Sequence, residues 1–178
     1  MTYADLERMA DDGGRYELYD GEVSVVPSPV PLHQIVAYRL GDALDEYRRN
    51  AGGLVFLAPL DVVFSESNTA QPDVLFFARD RAHLIDLRKA IRVPPDLAIE
   101  VLSPGTEAVD RGRKMRMFAR FGVREFWLVD PDAKRIEIYR LTEGGYGPAL
   151  EAGEGDMAVS AILPGFSVPV APLFQDVP

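Results

Sequence analysis

One carboxylate inside an apolar strand places the strongest constraint on how this chain can fold. Residues 96–102 read Asp-Leu-Ala-Ile-Glu-Val-Leu, so Glu100 has apolar neighbours on both sides. Strand alternation places Leu97, Ile99 and Val101 on one face and puts Glu100 on the other. The run predicts a buried strand. A carboxylate in such a strand is costly unless it is paired or binds a metal ion.

A second carboxylate opens another apolar strand. Asp73 begins the run Asp-Val-Leu-Phe-Phe at residues 73–77. Both Asp73 and Glu100 have an ordinary interpretation, in which each forms a salt bridge with an arginine or caps a turn. They also have a functional interpretation, because perturbed carboxylates cluster at functional sites.

The segment after the Glu100 strand predicts a helix over residues 107–121, stopped by Gly122. Helical spacing places Lys114 on one stripe with the apolar residues Met117, Phe118 and Phe121. Lys114 therefore points toward the sheet. Spacing alone fits a plain internal ion pair and a catalytic ammonium group near a metal site equally well.

This helical segment is also the one clearly basic region. Residues 110–124 contain six Lys and Arg residues and one acidic residue, in a chain of net charge −9. One interpretation is a solvated helix face that balances nearby acidic groups. The other is a surface on which Arg111, Arg113 and Arg116 contact phosphate groups.

Composition excludes several classes of protein. The chain has no cysteine, which excludes disulfides, thiolate zinc sites and a cysteine nucleophile. No apolar run approaches the roughly 20 residues that a membrane-spanning helix needs. The net charge of −9 disfavours nucleic-acid binding through bulk charge. We therefore expect one domain over residues 1–178, located in the cytoplasm, without membrane contact.

The order of predicted elements indicates an α/β (α+β) fold with one mixed sheet and helices against it. Asp20-Gly21 lies between two strand-like runs and predicts a hairpin. The other expected elements are a helix over 32–49, a strand over 54–64 with Pro59 at an irregularity, strands over 72–77 and 96–102, the helix over 107–121, and a hairpin of 125–129 with 135–141.

Pro72-Asp73 followed by Glu100 in an apolar strand resembles the PD-(D/E)XK nuclease superfamily. In that motif a lysine stands two residues after the glutamate, where this chain has Leu102. Some members carry the lysine on the following helix, and Lys114 has that position.

More specifically, the chain resembles the bacterial Uma-type restriction-endonuclease family through nearly its whole length. The resembling pieces are residues 16–22, Pro27-Ser28-Pro29 with His33, Gln71-Pro72-Asp73, residues 95–104, Asp110 with Lys114, residues 126–131 and Leu163-Pro164-Gly165-Phe166.

This resemblance implies a restriction-endonuclease-like core, in which a mixed sheet flanked by helices carries an N-terminal β-hairpin. Asp73, Glu100 and the backbone carbonyl of Val101 would hold Mg²⁺ or Mn²⁺. Lys114 would orient the attacking water or stabilise charge on the phosphate. Glu17 would be an additional acidic member, with an exposed strand carboxylate as the alternative.

His33 has two interpretations. Near a helix start it would contact phosphate or act as a base, and the alternative is a capping or packing residue.

Three functions follow from these patterns. The first is a metal-dependent endonuclease that hydrolyses phosphodiester bonds of DNA. The second is a catalytically inactive nucleic-acid-binding or interaction module on the same fold. The third is an unrelated hydrolase that uses Asp73 and Glu100 as an acid/base pair without metal. For the nuclease we expect a homodimer, because cutting both strands needs two sites and symmetric dimers are the commonest assemblies.

Overall fold

The computed structural model describes residues 1–9 and 12–175, which form a large mixed sheet, a four-stranded sheet and a two-stranded ribbon. The strands are β1 Arg15–Tyr19, β2 Glu22–Val26, β3 Leu54–Leu57, β4 Val62–Ser65, β5 Asn68–Ala70, β6 Val74–Phe77, β7 Leu97–Val101, β8 Glu125–Asp130, β9 Arg135–Thr142, β10 Gly145–Tyr146, β11 Leu150–Ala152, β12 Met157–Val159 and β13 Ser167–Pro169. The helices are α1 Tyr3–Leu6, α2 Pro31–Ala51, α3 Glu107–Val109, α4 Met115–Phe121 and α5 Ala171–Phe174, with a π-helical turn at Asp110–Lys114 and a 3₁₀ turn at Ala82–Leu84.

The large sheet is mixed, as the sequence predicts. Its strand order is β10-β9-β8-β7-β6-β3, and β11 also pairs with β9. β7 and β8 are parallel, whereas β6 pairs with β7 and β9 with β8 in antiparallel fashion. A parallel pair needs a crossover between its strands. The segment from α3 to α4 is this crossover, so it passes directly over the strand that carries Glu100.

Helices cover both faces of the large sheet. One face packs Leu97, Ile99 and Trp127 against the apolar stripe of α2. The other face packs Ala98, Phe126 and Leu128 against α4. Burial on both faces explains the nearly continuous apolar sequence of β7. It also means that Glu100, which lies on the sheet face that packs against α4, would be buried among apolar side chains if it had no polar partners.

The N-terminal hairpin has the turn that its sequence predicts. Asp20 and Gly21 have φ angles of 51° and 84°, and both positive values are those of a type I′ turn. β1 also pairs with β5, so the hairpin belongs to a second sheet of order β2-β1-β5-β4. The sequence did not predict β5, a three-residue strand.

The strand expected over residues 54–64, with Pro59 at an irregularity, is two strands that belong to different sheets. The chain forms β3 in the large sheet and leaves that sheet near the cis peptide bond Ala58–Pro59. It then joins the four-stranded sheet as β4. Pro59 has no backbone N–H to donate, so a continuous strand would lack a ladder hydrogen bond there. This break lets the small sheet and its hairpin lie beside the ends of β6 and β7.

Candidate active site

Asp73 and Glu100 lie side by side because of the register of β6 and β7. The antiparallel pairing joins Val74 to Ile99, and one further step along it places Asp73 opposite Glu100. Cross-strand neighbours of this kind have Cβ atoms about 5 Å apart. Both carboxylates are buried, with 8% and 3% of their surface exposed.

Lys114 joins three carboxylates. Its Nζ lies 2.9 Å from Glu100 Oε1, 3.1 Å from Glu17 Oε1 and 3.2 Å from Asp110 Oδ1. None of these four residues is more than 4% exposed. One ammonium group faces three buried acidic groups, and Asp73 adds a fourth acidic group to the same pocket. The cluster therefore has an excess of potential negative charge.

The shifted pKa values of Glu100, Asp110 and Lys114 reflect this excess of acidic groups. Burial raises the pKa of Glu100 well above its ordinary value, Lys114 opposes the rise, and Asp73 and the other carboxylates add to it. Burial also raises the pKa of Asp110. Burial lowers the pKa of Lys114, but its carboxylate neighbours outweigh that effect and its pKa lies well above the usual value. Lys114 is therefore an ammonium group, and the site would be stabilised by a further positive charge.

Glu17 is held from two sides. The hydroxyl of Tyr19 donates to Glu17 Oε2 at 2.6 Å, and the backbone N–H of Gln71 donates to Oε1 at 2.8 Å. Tyr19 lies two residues along β1, on the same face as Glu17. The exposed strand carboxylate that we considered as the alternative for Glu17 is thus not what the structure contains.

Asp73 is oriented by a backbone donor and a histidine. The N–H of Val101 donates to Asp73 Oδ2 at 2.8 Å, and His33 Nε2 lies 3.0 Å from the same oxygen. His33 stands in the first turn of α2 and is 7% exposed. Its Nδ1 is buried and has no hydrogen-bond partner within the described part of the chain. The positive end of the α2 dipole also favours a negative charge near this end of the helix.

A small cavity is lined by His33, Asp73, Glu100, Asp110 and Lys114. Its volume is about 30 Å³, which exceeds the roughly 10–15 Å³ that a cavity needs to hold one water molecule. Among residues 1–9 and 12–175, no group of three or more His, Cys, Asp or Glu side chains has the arrangement of a metal site. Mg²⁺ does not need such a group, because it commonly binds one or two carboxylates and keeps several waters.

The donors present do fit such an ion. Asp73 and Glu100 face the same cavity, beside the backbone of Val101. Glu100 Oε1 is buried and accepts no well-aligned hydrogen bond from a described residue, although Lys114 is close. An oxygen left in that state is available to a cation.

The three arginines predicted to contact phosphate lie in different surroundings. Arg111 donates to both oxygens of Glu137, at 2.7 and 2.9 Å, and is tied to β9. Arg113 pairs with Glu22 at 2.7 Å. Arg116 is exposed, and no residue that the structure describes pairs with it. Arg113 and Arg116 border an open cleft of about 490 Å³ beside Tyr19.

Sequence reasoning named Asp110 with Lys114 only as part of the family resemblance and gave Asp110 no role, and it missed Tyr19 as a partner of Glu17. Asp110 stands four residues before Lys114, which is a pairing distance on a helix, so a signal existed. For Tyr19 the only signal in the sequence was its spacing of two residues from Glu17 on a strand, which places the two side chains on one face.

Comparison with known proteins decides the family. Residues 2–171 match the family described as "Uma2: Putative restriction endonuclease". The chain belongs to the Uma2 family. The resemblance drawn from the sequence motifs is therefore confirmed.

Two further proteins are similar to this chain. An uncharacterized protein of Synechocystis sp. is 26% identical over 135 residues, which are 74% of this chain and 68% of that protein. The crystal structure of "a putative nuclease belonging to DUF820" from Anabaena variabilis has a TM-score of 0.80 and 18% sequence identity, and the match covers 98% of this chain and 97% of that chain. The expected nuclease-like fold is therefore confirmed.

No helix in the described residues is long and apolar enough to cross a bilayer. The cytoplasmic location expected from the sequence stays a prediction.

Proposed function

We propose that this Uma2-family chain is a nuclease that hydrolyses phosphodiester bonds of DNA with the help of Mg²⁺ or Mn²⁺. The observation that carries the proposal is the buried cluster in which Asp73 and Glu100 are cross-strand neighbours and Lys114 contacts Glu100 at 2.9 Å. The family and the fold support it.

Asp73 and Glu100 would hold the ion, together with the carbonyl of Val101. A bound Mg²⁺ or Mn²⁺ would supply Lewis-acid polarisation of the scissile phosphate and a lowered pKa of its coordinated water. The chain's own groups prepare this chemistry. The N–H of Val101 and the ring of His33 fix the carboxylate of Asp73. Preorganised groups of this kind lose no reorganisation energy during the reaction.

Lys114 is the group that we assign to the phosphate or to the attacking water. Its ammonium lies in the wall of the cavity that Asp73 and Glu100 share. A fixed positive charge there favours the negative charge that develops as water attacks. Glu17 and Asp110 hold the ammonium in place, so we propose positioning roles for both.

Arg113 and Arg116 remain proposed phosphate contacts because both border the open cleft beside Tyr19. For Arg111 we propose a structural role, since its guanidinium already donates to both oxygens of Glu137.

Calorimetric titration with Mn²⁺ tests the metal site. We expect one site in the wild type, lost in Asp73→Ala and in Glu100→Ala and retained in Lys114→Ala. Asp45→Ala is the control, because Asp45 pairs with Arg48 and Arg49 on the surface of α2. Absence of Mn²⁺ binding by the wild type, even with nucleic acid present, would contradict the proposal.

Cleavage assays with supercoiled plasmid, linear duplex, single-stranded DNA and RNA test the activity. We expect cleavage in Mg²⁺ or Mn²⁺ that EDTA stops and that all three site variants lose. Metal binding and DNA binding without any cleavage would favour the inactive module on the same fold. Hydrolysis that persists in EDTA would favour the metal-free acid/base pair.

We also propose that the active form is a homodimer, since one chain supplies one set of site residues and two strands must be cut. Light scattering after size exclusion, with and without duplex DNA, measures this directly. A monomer in both conditions that still makes double-strand breaks would overturn it.

A further inference from the structure

A cleft separate from the carboxylate cavity lies between the N-terminal hairpin and α4. We call it the arginine cleft. Its volume is about 490 Å³, and it is lined by Arg113, Arg116 and Arg120 on the helical side and by Asp20 and Glu22 on the hairpin. Neither Arg120 nor the two hairpin carboxylates was considered as a binding residue from the sequence.

Two of the three arginines are paired across the cleft. Arg113 contacts Glu22 at 2.7 Å, and Arg120 contacts Asp20 at 2.8 Å. The side chains of both pairs are at least half exposed. Ion pairs this exposed contribute about 0–1 kcal/mol, so little free energy opposes the replacement of one partner by another anion. Arg116 has no partner among the described residues.

The cleft also adjoins the buried cluster. Tyr19 lines the cleft, and its hydroxyl donates to Glu17, which holds Lys114. One residue therefore borders both sites.

We propose that the arginine cleft binds the phosphodiester backbone of the nucleic acid, and that Asp20 and Glu22 take the places of its phosphates in the free protein. This inference rests on the proposed function for the class of ligand, and it adds Arg120 and the displaceable hairpin carboxylates. Guanidinium groups match phosphate geometry through bidentate hydrogen bonds. In a chain of net charge −9, backbone binding needs such a local group of cations.

The two hairpin carboxylates also make the cleft selective for linked phosphates over single weak anions. A weak anion gains little by displacing a carboxylate that the chain itself provides. A strand of linked phosphates replaces both carboxylates at once and also reaches Arg116, so it competes through several contacts.

Fluorescence anisotropy of a labelled 20-base-pair DNA duplex tests this, in EDTA to prevent cleavage and from about 50 to 200 mM NaCl. The variants are Arg116→Ala, Arg120→Ala and Asp20→Asn. Asn is well suited to the first position of a type I′ turn, so Asp20→Asn removes the charge and keeps the turn. Arg88→Ala removes an exposed arginine outside the cleft and is the control.

We expect Arg116→Ala and Arg120→Ala to weaken binding about 3–10-fold at 0.1 M salt and to reduce the salt slope by about 0.9 each. We expect Asp20→Asn to tighten binding, because it frees Arg120, and Arg88→Ala to change nothing. Glu66→Gln is the matched charge control, because Glu66 is an exposed carboxylate paired with Arg92 outside the cleft. Tightening in Asp20→Asn that exceeds the effect of Glu66→Gln supports displacement of Asp20, and equal tightening in both variants would contradict it. The same duplex as single-stranded DNA and as RNA identifies which backbone the cleft prefers.

Wild-type binding that all three cleft variants leave unchanged would overturn the inference. Cleavage of DNA with unchanged KM in those variants would overturn it while leaving the proposed function intact. Binding that depends on the cleft arginines, without cleavage in Mg²⁺ or Mn²⁺, would support the cleft and overturn the catalytic proposal.

Discussion

At the scale of single residues, the structure is most sensitive at Lys114. A buried ammonium group that contacts three carboxylates has lost its hydration, and each carboxylate has lost its own. Such a group of charges contributes little net stability while it is complete. Removal of one partner is costly, because it leaves the others buried without a counter-charge.

We expect Lys114→Met to lower the free energy of unfolding by about 3–5 kcal/mol. Urea denaturation measures it. The double variant Glu17→Gln/Lys114→Met should recover part of the loss, because it removes one of the carboxylates that repel each other. Lys89→Met is the matched control, since the Lys89 side chain is 77% exposed, and it should change stability by less than about 0.5 kcal/mol. Equal stability of Lys114→Met and Lys89→Met would contradict this account.

His33 acts at the same scale, through Asp73. If Asp73 binds the ion, then the His33 ring behind it fixes the orientation of its carboxylate. Loss of such a partner typically lowers metal affinity by about 10–100-fold. We expect that reduction for Mn²⁺ binding in His33→Ala and a smaller one in His33→Gln, whose amide still donates. His83→Ala, an exposed histidine, should bind Mn²⁺ as the wild type does. The same calorimetric titration compares all four proteins.

At the scale of elements, the crossover between β7 and β8 is the segment whose shape matters most for the site. The sequence predicts one continuous helix over residues 107–121, and the structure divides it into α3, a π turn and α4. The π turn contains both Asp110 and Lys114, and it directs both side chains inward. π turns inside helices are frequent at functional sites, and this one adds a carboxylate to the cluster.

Two glycines give opposite predictions for the elements that surround the site. Gly112 lies in the π turn, and a Cβ atom there would meet only Arg116 Nη1, at 3.9 Å. We expect Gly112→Ala to raise stability by about 0.4–1 kcal/mol, because alanine restricts the unfolded chain. Gly21 has a φ of 84°, and a Cβ atom there would lie 3.3 Å from the carbonyl oxygen of Met1. Gly21→Ala should lower stability by about 1–2 kcal/mol. Thermal unfolding of both variants checks the signs.

The elements also show how far sequence reasoning reaches. Local signals were sufficient for the hairpin at Asp20-Gly21, for α2 and for the inward direction of Lys114. They were insufficient for β5, because a three-residue strand is stabilised by its pairing with β1 and β4. The π turn was missed for a similar reason, since its sequence is helical and its geometry depends on contacts with distant strands.

The site, too, has features that local sequence patterns predict and features that depend on contacts between distant segments. Strand alternation predicts that Glu100 faces the crossover helix, and helical spacing predicts that Lys114 faces the sheet. Their meeting was therefore predictable. The partner of Arg111 was not, because Glu137 is 26 residues away and no local pattern links the two. Interactions between distant segments decide which arginines remain available for a ligand.

At the scale of the whole molecule, the described carboxylates respond to acid in two opposite ways. Burial raises the pKa of Glu100 and of Asp110, so protonation costs these groups less in the folded state than in the unfolded state. Arg111, bonded to both oxygens of Glu137, holds the pKa of that carboxyl below its ordinary value, against the effect of burial. Groups of the second kind make the protein less stable in acid.

Glu137 gives a test of this behaviour. Because its pKa is lowered on folding, the unfolded chain takes up a proton first as the pH falls, from its ordinary value of about 4.5 downward. The contribution of Glu137 to stability is therefore complete above that pH and is lost as the pH falls through the folded pKa. A hydrogen-bonded charge of this kind contributes about 1.5–3 kcal/mol. We expect Glu137→Gln to be less stable than the wild type by that amount at neutral pH and to approach it in acid.

Urea denaturation of the two proteins from pH 3 to pH 7 measures the difference, and other titrating groups cancel in it. Glu151→Gln is the control, because Glu151 is exposed on the neighbouring strand and lies 3.9 Å from Arg135. A difference between wild type and Glu137→Gln that stays constant below about pH 4.5 would mean that Arg111 does not stabilise the ionised form. A difference that shrinks there means that the ionised Glu137, bonded to Arg111 in the π turn, stabilises the contact between the crossover and β9.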